Sequence, residues 1–180
     1  WRNLQELKEA LSKKNIPLKV VAVDAWTEIP ESIEQLMVAH NISSLYFNHE
    51  VGVNEVERDR AVYRHLKQKN LNIHHYYDNY LVKLGSILNG ENQPYKVFTA
   101  FKKRLIDVLQ YTYFENYSDI PTQTKLDIES DDVSTNPYEA FDNLTYKAGE
   151  NAAFEILQSF LKEDIYKYHI NRDIPSLDGT

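Results

Sequence analysis

The stretch ISSLYFNHEVGVNEVERDRAVYRHLKQKNLNIHHYY, residues 42–77, alternates short apolar runs with a charged, helix-like pattern. Residues 42–48 and 71–77 are short and rich in β-branched and aromatic side chains, which predicts two strands. Between them, residues 54–70 carry acidic side chains first and basic ones last, the order that a helix dipole favours. A strand, a helix and a strand at this spacing predict a parallel βαβ unit.

The same pattern extends towards the N-terminus. Residues 1–14 have the apolar spacing of an amphipathic helix. PLKVVAV, residues 17–23, is a continuous apolar run that predicts a strand buried on both faces. Residues 29–41 predict a helix, with Pro30 near its start. We therefore expect an α/β fold with a Rossmann-like parallel sheet of three strands, 17–23, 42–48 and 71–77, and helices on its faces.

The pattern changes after about residue 78. Residues 95–112 predict a further helix, and residues 115–147 are polar, acidic and aperiodic, which is typical of a long surface connection. Residues 149–173 again have strong helical spacing. The sequence thus predicts an α/β unit over residues 1–110, a linker over 111–147 and the opening helix of a second domain over 148–180.

Composition excludes several classes of protein. The chain has 180 residues, a formal net charge of −7 and no cysteine. The absence of cysteine rules out a disulfide scaffold, thiol catalysis and cysteine-based zinc sites, and it fits a cytoplasmic location. No apolar run approaches the roughly 20 residues of a membrane span, so we expect no membrane partner. The acidic balance argues against a general polyanion binder.

Both ends of the chain are abrupt. Trp1 already belongs to a helical apolar pattern, and Thr180 follows directly after the turn pair Asp178-Gly179. We expect the chain to be a piece of a longer protein. In such a piece the strand of residues 17–23 could lie apart from the other two, or the exposed edge of the sheet could pair with a second copy.

Three stretches in register carry a resemblance to a known family. They are LYFNHEVGVNEVERDRAV at 45–62, PYKVFTAFKK at 94–103 and AGENAAFEILQSFL with its continuation to RDIPSLDGT at 148–180. Together they resemble the DNA photolyase/cryptochrome family, most closely bacterial folate-antenna photolyases that repair cyclobutane pyrimidine dimers. The resemblance implies a partial antenna-binding α/β domain, an interdomain linker and the start of a helical FAD-binding domain. Ala100 and Leu105 depart from residues common in the family.

The resemblance assigns an antenna role to Asn54 and Glu55. They match the pair that folate-using members place against the pterin ring of 5,10-methenyltetrahydrofolate. A carboxylate can accept adjacent ring N–H groups, and an amide both donates and accepts. The structural alternative is that Asn54 is the N-cap of the helix, with Glu57 at capping-box spacing, and that Glu55 favours its N-terminus. The two interpretations are compatible, because ligands bind at such helix starts in parallel sheets.

The C-terminal stretch carries the other implied site residues. Tyr168 and Thr180 match family positions against FAD and its phosphate region, and Arg172 matches a position near the DNA backbone. An arginine offers a planar, charged fork for phosphate. The alternatives are that Tyr168 lies on an amphipathic helix face and that Arg172 pairs with Asp173 or closes the helix as a cation.

The implied function of the full-length parent is light-driven DNA repair. A folate antenna passes excitation to reduced FAD, which gives an electron to a pyrimidine dimer in damaged DNA. Because FAD performs the electron transfer, no side-chain catalytic residue is expected. We expect the parent to be monomeric. The alternatives are a cryptochrome-type photoreceptor without repair activity and a plain nucleotide-binding α/β domain.

The six histidines indicate no metal site. They lack ligand spacing, and His74 and His75, adjacent on a predicted strand, should point to opposite faces of the sheet. We interpret all six as ordinary surface or core histidines.

Overall fold

The structure, a computed structural model, describes residues 1–113, 120–135 and 147–177. Its regular elements are α1 (Arg2–Ser12), a 3-10 turn (Trp26–Glu28), α2 (Ile29–Ala39), β1 (Ser44–Asn48), α3 (Val53–Gln68), β2 (Asn72–Tyr76), α4 (Phe98–Leu109), α5 (Glu150–Lys162), a second 3-10 turn (Asp164–Tyr166) and α6 (Tyr168–Asn171). They fall into two compact units, Val21–Ser118 and a second unit of Trp1–Val20 with Asp119–Thr180.

Strands β1 and β2 form a two-stranded parallel sheet, as the βαβ pattern predicts. Leu45 of β1 lies opposite Ile73 of β2, and both pack on one core with residues from α2 and α3. The buried members of that core are Met37, Val62 and Leu66, with Leu66 fully inaccessible at 0% exposure. Burial of these side chains fixes α2 and α3 on one face of the sheet.

Three helices end in the same way, and each end turns the chain towards its next segment. Asn15, Asn41 and Asn70 have positive φ angles of 59°, 52° and 57°. The residue after each asparagine is apolar and donates its N–H to a carbonyl one turn back, as Ile42 does to Met37 at 2.7 Å. This is the Schellman pattern, in which asparagine adopts the left-handed conformation at little cost. The prediction that α2 ends near Asn41 is confirmed.

The start of α3 differs from the prediction. The helix begins at Val53, and its N-cap is Gly52 in an extended conformation, so Asn54 is not the cap. The carboxylate of Glu55 folds back over Gly52 so closely that a Cβ at that position would overlap it. A Cβ at position 52 would displace only the end of this flexible side chain, and the extended backbone of Gly52, with φ −61°, is one that any residue adopts. Because Asn54 lies inside the helix, the capping-box role of Glu57 is also wrong.

The predicted strand at residues 17–23 is wrong. The segment has no strand neighbour and is in no sheet. Its first half instead bonds to the irregular segment 120–135. Leu18 N–H donates to Ser130 Oγ at 3.0 Å and Val20 N–H to Asp131 Oδ2 at 2.8 Å, while Lys19 pairs with the Asp131 carboxylate. A strand needs a continuous ladder of backbone partners, whereas here the backbone bond from Asp131 N–H to Leu18 O, at 2.9 Å, stands beside bonds to side chains.

In the unit that contains both chain ends, α1 is tied to distant residues. Trp1 Nε1 donates to Val133 O at 2.6 Å, and Gly149 N donates to Asn3 Oδ1 at 2.9 Å. Val133 is buried, 2% exposed. These bonds bring residues more than 100 positions apart together, which no local pattern in the sequence could show.

The predicted helix of residues 149–173 is divided. It forms α5, the 3-10 turn and α6 in succession. The division falls at Glu163 and Asp164, and aspartate favours helix starts over interiors. Residues 120–135 contain no helix or strand, while residues 114–119 and 136–146 of the predicted linker lie outside the described residues. The two boundaries between the three predicted segments, the linker and the start of an FAD-binding domain remain predictions.

Among the described residues, the helices are too short or too polar to cross a bilayer.

Candidate functional site

The candidate site lies where β1 ends and α3 begins. β1 stops at Asn48, four residues follow, and α3 opens at Val53. Asn54 and Glu55 therefore occupy the first turn of α3, at the carboxyl edge of the parallel sheet. In α/β folds this edge is where ligands bind, since helix starts present free N–H groups there.

The side chains of Asn54 and Glu55 point in different directions. Asn54 is exposed and lines a pocket of about 450 Å³ together with Trp26, Thr27, Glu57, Arg58 and Ala61. Glu55 instead lies over Gly52. The structure thus brings Asn54 together with Trp26 and Glu57, two residues that the sequence interpretation did not assign to a ligand.

Arg58 is the best-held cation of this region. Its Nε and Nη2 donate to Asp59 Oδ1 at 2.9 and 2.8 Å, and Nη2 also donates to Glu50 Oε2 at 3.2 Å. Burial lowers the pKa of the Arg58 guanidinium, but the hydrogen bonds and charges of Asp59 and Glu50 outweigh it, so this pKa lies above its ordinary value. The guanidinium carbon lies 5.6 Å from the centre of the Trp26 ring, a cation–π distance.

Asp59 is a buried carboxylate, 4% exposed, that sequence reasoning missed. Its second oxygen lies 3.2 Å from Nδ1 of His49, and His49 Nε2 is in turn hydrogen-bonded to His75 Nδ1. When both rings are neutral and His49 donates to Asp59, its Nε2 must accept from His75. The available signal was that Asp59 shares the apolar face of α3 with Val62 and Leu66, at helical spacing.

The histidines of β2 lie on opposite faces of the sheet, as predicted. His74 stacks on Tyr46 with ring centres 4.5 Å apart, whereas His75 lies beside His49 and Tyr63. Within residues 1–113, 120–135 and 147–177, no three His, Cys, Asp or Glu side chains form a group that could hold a metal ion.

The C-terminal site residues are only partly described. Tyr168 opens α6, is 43% exposed and meets Phe160 edge to face, with ring centres 5.8 Å apart. Arg172 is the C-cap of α6, and its Nε lies 3.5 Å from Asp173 Oδ2, with both side chains largely exposed. Thr180 lies outside the described residues.

Comparison with known proteins decides the family. The model of the DNA photolyase family matches residues 1–122, about two thirds of the chain. The chain belongs to the DNA photolyase family.

Curated relatives of this photolyase-family chain bear the name deoxyribodipyrimidine photo-lyase. The Escherichia coli (strain K12) protein is 30% identical over 98% of the chain, and the protein of Buchnera aphidicola subsp. Acyrthosiphon pisum is 31% identical over all of it. The chain spans 38% of the length of each.

A solved structure agrees with the fold. The crystal structure of a bacterial class III photolyase from Agrobacterium tumefaciens matches 99% of the chain with a TM-score of 0.76 at 20% identity, and the chain covers 38% of it. The α/β fold with a small parallel sheet is thus confirmed as that of a photolyase N-terminal portion.

Proposed function

We propose that this chain is part of a deoxyribodipyrimidine photolyase, a light-driven flavoenzyme that splits pyrimidine dimers in damaged DNA, with folate as its antenna. The match to the DNA photolyase family over residues 1–122 is the observation that carries the proposal. The curated relatives named as photo-lyases support repair over the cryptochrome-type alternative. A plain nucleotide-binding α/β domain does not account for similarity that continues through the last helices.

The antenna site of this proposal is the first turn of α3. Asn54 supplies an amide that can donate and accept, and Glu55 supplies a carboxylate at a helix start. Bound 5,10-methenyltetrahydrofolate would supply absorption of near-ultraviolet or blue light. A pterin edge with adjacent N–H groups suits this donor and acceptor set. The exposed position of Asn54 beside an open pocket supports access for such a ring.

The flavin and DNA roles belong to the C-terminal stretch. Bound FAD, in its reduced form, would supply the electron that opens the dimer. Tyr168 has a ring that is partly free for contact with a flat ligand, and Thr180 offers a hydroxyl to a phosphate. Arg172 keeps an exposed guanidinium that can leave Asp173 for a DNA phosphate, because an exposed ion pair is worth little. We propose a cytoplasmic location for the parent.

The test uses the full-length protein that carries this chain. Purified protein is assayed for retained flavin by absorbance and is then illuminated with an oligonucleotide that contains a cyclobutane thymine dimer. We expect light-dependent loss of dimers and none in the dark. If the protein retains flavin but leaves the dimers intact, the photoreceptor function replaces the repair function. If it retains no flavin, the repair function and the photoreceptor function are both rejected.

A further inference from the structure

We propose that Trp26, Asn54 and Glu57 together bind the flat heteroaromatic ring of the antenna chromophore, with the Trp26 indole as its stacking surface. The proposal rests on the proposed function, since Asn54 is shared with it. It goes beyond that function because it adds two residues, Trp26 and Glu57, to the Asn54 and Glu55 of the antenna assignment.

The first argument is the shape of the pocket. Its α3 wall is one helix stripe, Asn54, Glu57, Arg58 and Ala61, at the i, i+3, i+4 and i+7 spacing of a single face. Ala61 has no side chain beyond Cβ and leaves room in front of the stripe. The volume of about 450 Å³ falls within the range of about 300–1,000 Å³ that is common for small-molecule sites.

The second argument is that Trp26 is held in place while remaining accessible. The indole is 49% exposed, a large apolar area for a residue beside a helix start. Arg58 lies against its ring at 5.6 Å, and Arg58 is itself held by three hydrogen bonds to Asp59 and Glu50. A flat surface fixed before binding loses little entropy when a ring stacks on it.

The third argument is that Asn54 and Glu57 have polar side chains that can bind the edge of a stacked ring. In the described part of the chain, no hydrogen bond or ion pair engages the side chains of Asn54 or Glu57. A carboxylate and an amide three residues apart on one helix face can bind adjacent N–H donors and a ring acceptor at the edge of the stacked ligand. Stacking on Trp26 and edge contacts to Glu57 thus complement one another.

The experiment measures binding of 5,10-methenyltetrahydrofolate to the full-length protein by equilibrium dialysis. Trp26→Ala should weaken binding about ten-fold or more, the size expected when a flat base loses an aromatic stacking partner. Trp26→Phe, which keeps a flat ring, should stay within about three-fold of wild type. Glu57→Gln should weaken binding about ten-fold through loss of a charged acceptor. Tyr166→Ala, at a side chain 76% exposed in the other unit, is the matched control and should bind like wild type.

A spectroscopic readout separates stacking from a structural effect. The absorption band of the bound folate should shift on Trp26→Ala, because loss of the stacked ring changes the surroundings of the chromophore, and Trp26→Phe, which keeps a flat ring, should restore it. Wild-type affinity in both Trp26→Ala and Glu57→Gln, with loss in Glu55→Gln, would confine the ring to Asn54 and Glu55 and overturn this inference alone. If Trp26→Ala fails to fold, unchanged binding in the exposed Glu57→Gln variant overturns it. Wild-type protein that binds no folate would reject the antenna function itself.

Discussion

Oδ2 of the buried Asp59 lies 3.2 Å from Nδ1 of His49, and this contact joins helix α3 to the residue that follows strand β1. The other oxygen of Asp59 accepts two bonds from Arg58. The turn that leads into Asn54 and Glu55 is therefore held by a carboxylate in the protein interior. Its hydrogen bonds offset part of the cost of taking the charge out of water, and removal of the carboxylate leaves its partners uncompensated.

Asp59→Asn should destabilise the protein by about 1.5–3 kcal/mol, because Arg58 and His49 lose a charged acceptor. Urea denaturation followed by circular dichroism measures the change. Asp107→Asn, at an exposed carboxylate on α4, is the control and should change stability by less than about 0.5 kcal/mol. Equal effects at both positions would show that Asp59 has no special role.

Leu66→Ala should destabilise the protein by about 2–5 kcal/mol through lost apolar contact and the cavity that remains. Leu66 is 0% exposed at the centre of the core between α2, α3 and the sheet. The same substitution at Leu81, which is 64% exposed, removes the same atoms without a cavity. A loss as large at Leu81 as at Leu66 would contradict this core assignment.

Acidification should lower the stability of the folded protein because it protonates the Glu34 carboxylate. Hydrogen bonds from Lys69, at 2.9 Å, and from His65, at 2.6 Å, lower the pKa of the Glu34 carboxyl below its ordinary value of 4.5. A carboxyl with a lowered folded-state pKa contributes stability above its unfolded-state pKa and loses it as pH falls through the folded-state value.

The measurement is the urea midpoint from neutral to acid pH. Glu34→Gln should lower the urea midpoint at neutral pH, and its midpoint should fall less than that of the wild type as the pH is lowered. Glu31→Gln, on the same helix, should keep the wild-type profile, since Glu31 accepts only a long 3.4 Å bond from Gln35 among the described contacts. A midpoint that falls as much in Glu34→Gln as in the wild type would assign the pH dependence to other carboxylates.

Glu55→Gln in the full-length protein should weaken 5,10-methenyltetrahydrofolate binding by about 1–3 kcal/mol, as expected when a charged acceptor is lost. Folate retained after gel filtration and its dissociation constant are the readouts. Helicity by circular dichroism controls for an effect on the start of α3. Unchanged folate binding would leave Glu55 with the role of closing over Gly52.

The 180-residue chain alone should bind no flavin tightly and repair no DNA. A flavin-sized ligand usually has most of its surface buried, whereas Tyr168 is 43% exposed beside Phe160. The check is to desalt the chain after mixing with FAD, look for a yellow complex, and illuminate it with dimer-containing oligonucleotide. A stoichiometric complex, or any light-dependent loss of dimers, would show that the flavin site is contained in this chain.

The sequence was sufficient for those features that depend on neighbours along the chain. The βαβ unit around residues 42–77 was predicted correctly, because the apolar periods of two strands and one helix are local patterns. The end of α2 near Asn41 was equally readable, since asparagine tolerates the left-handed conformation of that turn. The position of Asn54 and Glu55 after β1 followed from the same order of elements.

Only the tertiary structure decided the features that need a partner far away in the sequence. Residues 17–23 have the composition of a strand, but a strand exists only where another strand bonds to it, and this segment meets Ser130 and Asp131 instead. The divergence of Asn54 towards Trp26 and of Glu55 over Gly52 likewise depends on packing between α3 and the residues before α2. Composition and periodicity determine which elements a chain can form, whereas burial and hydrogen bonding between distant residues determine which of them form and where their side chains point.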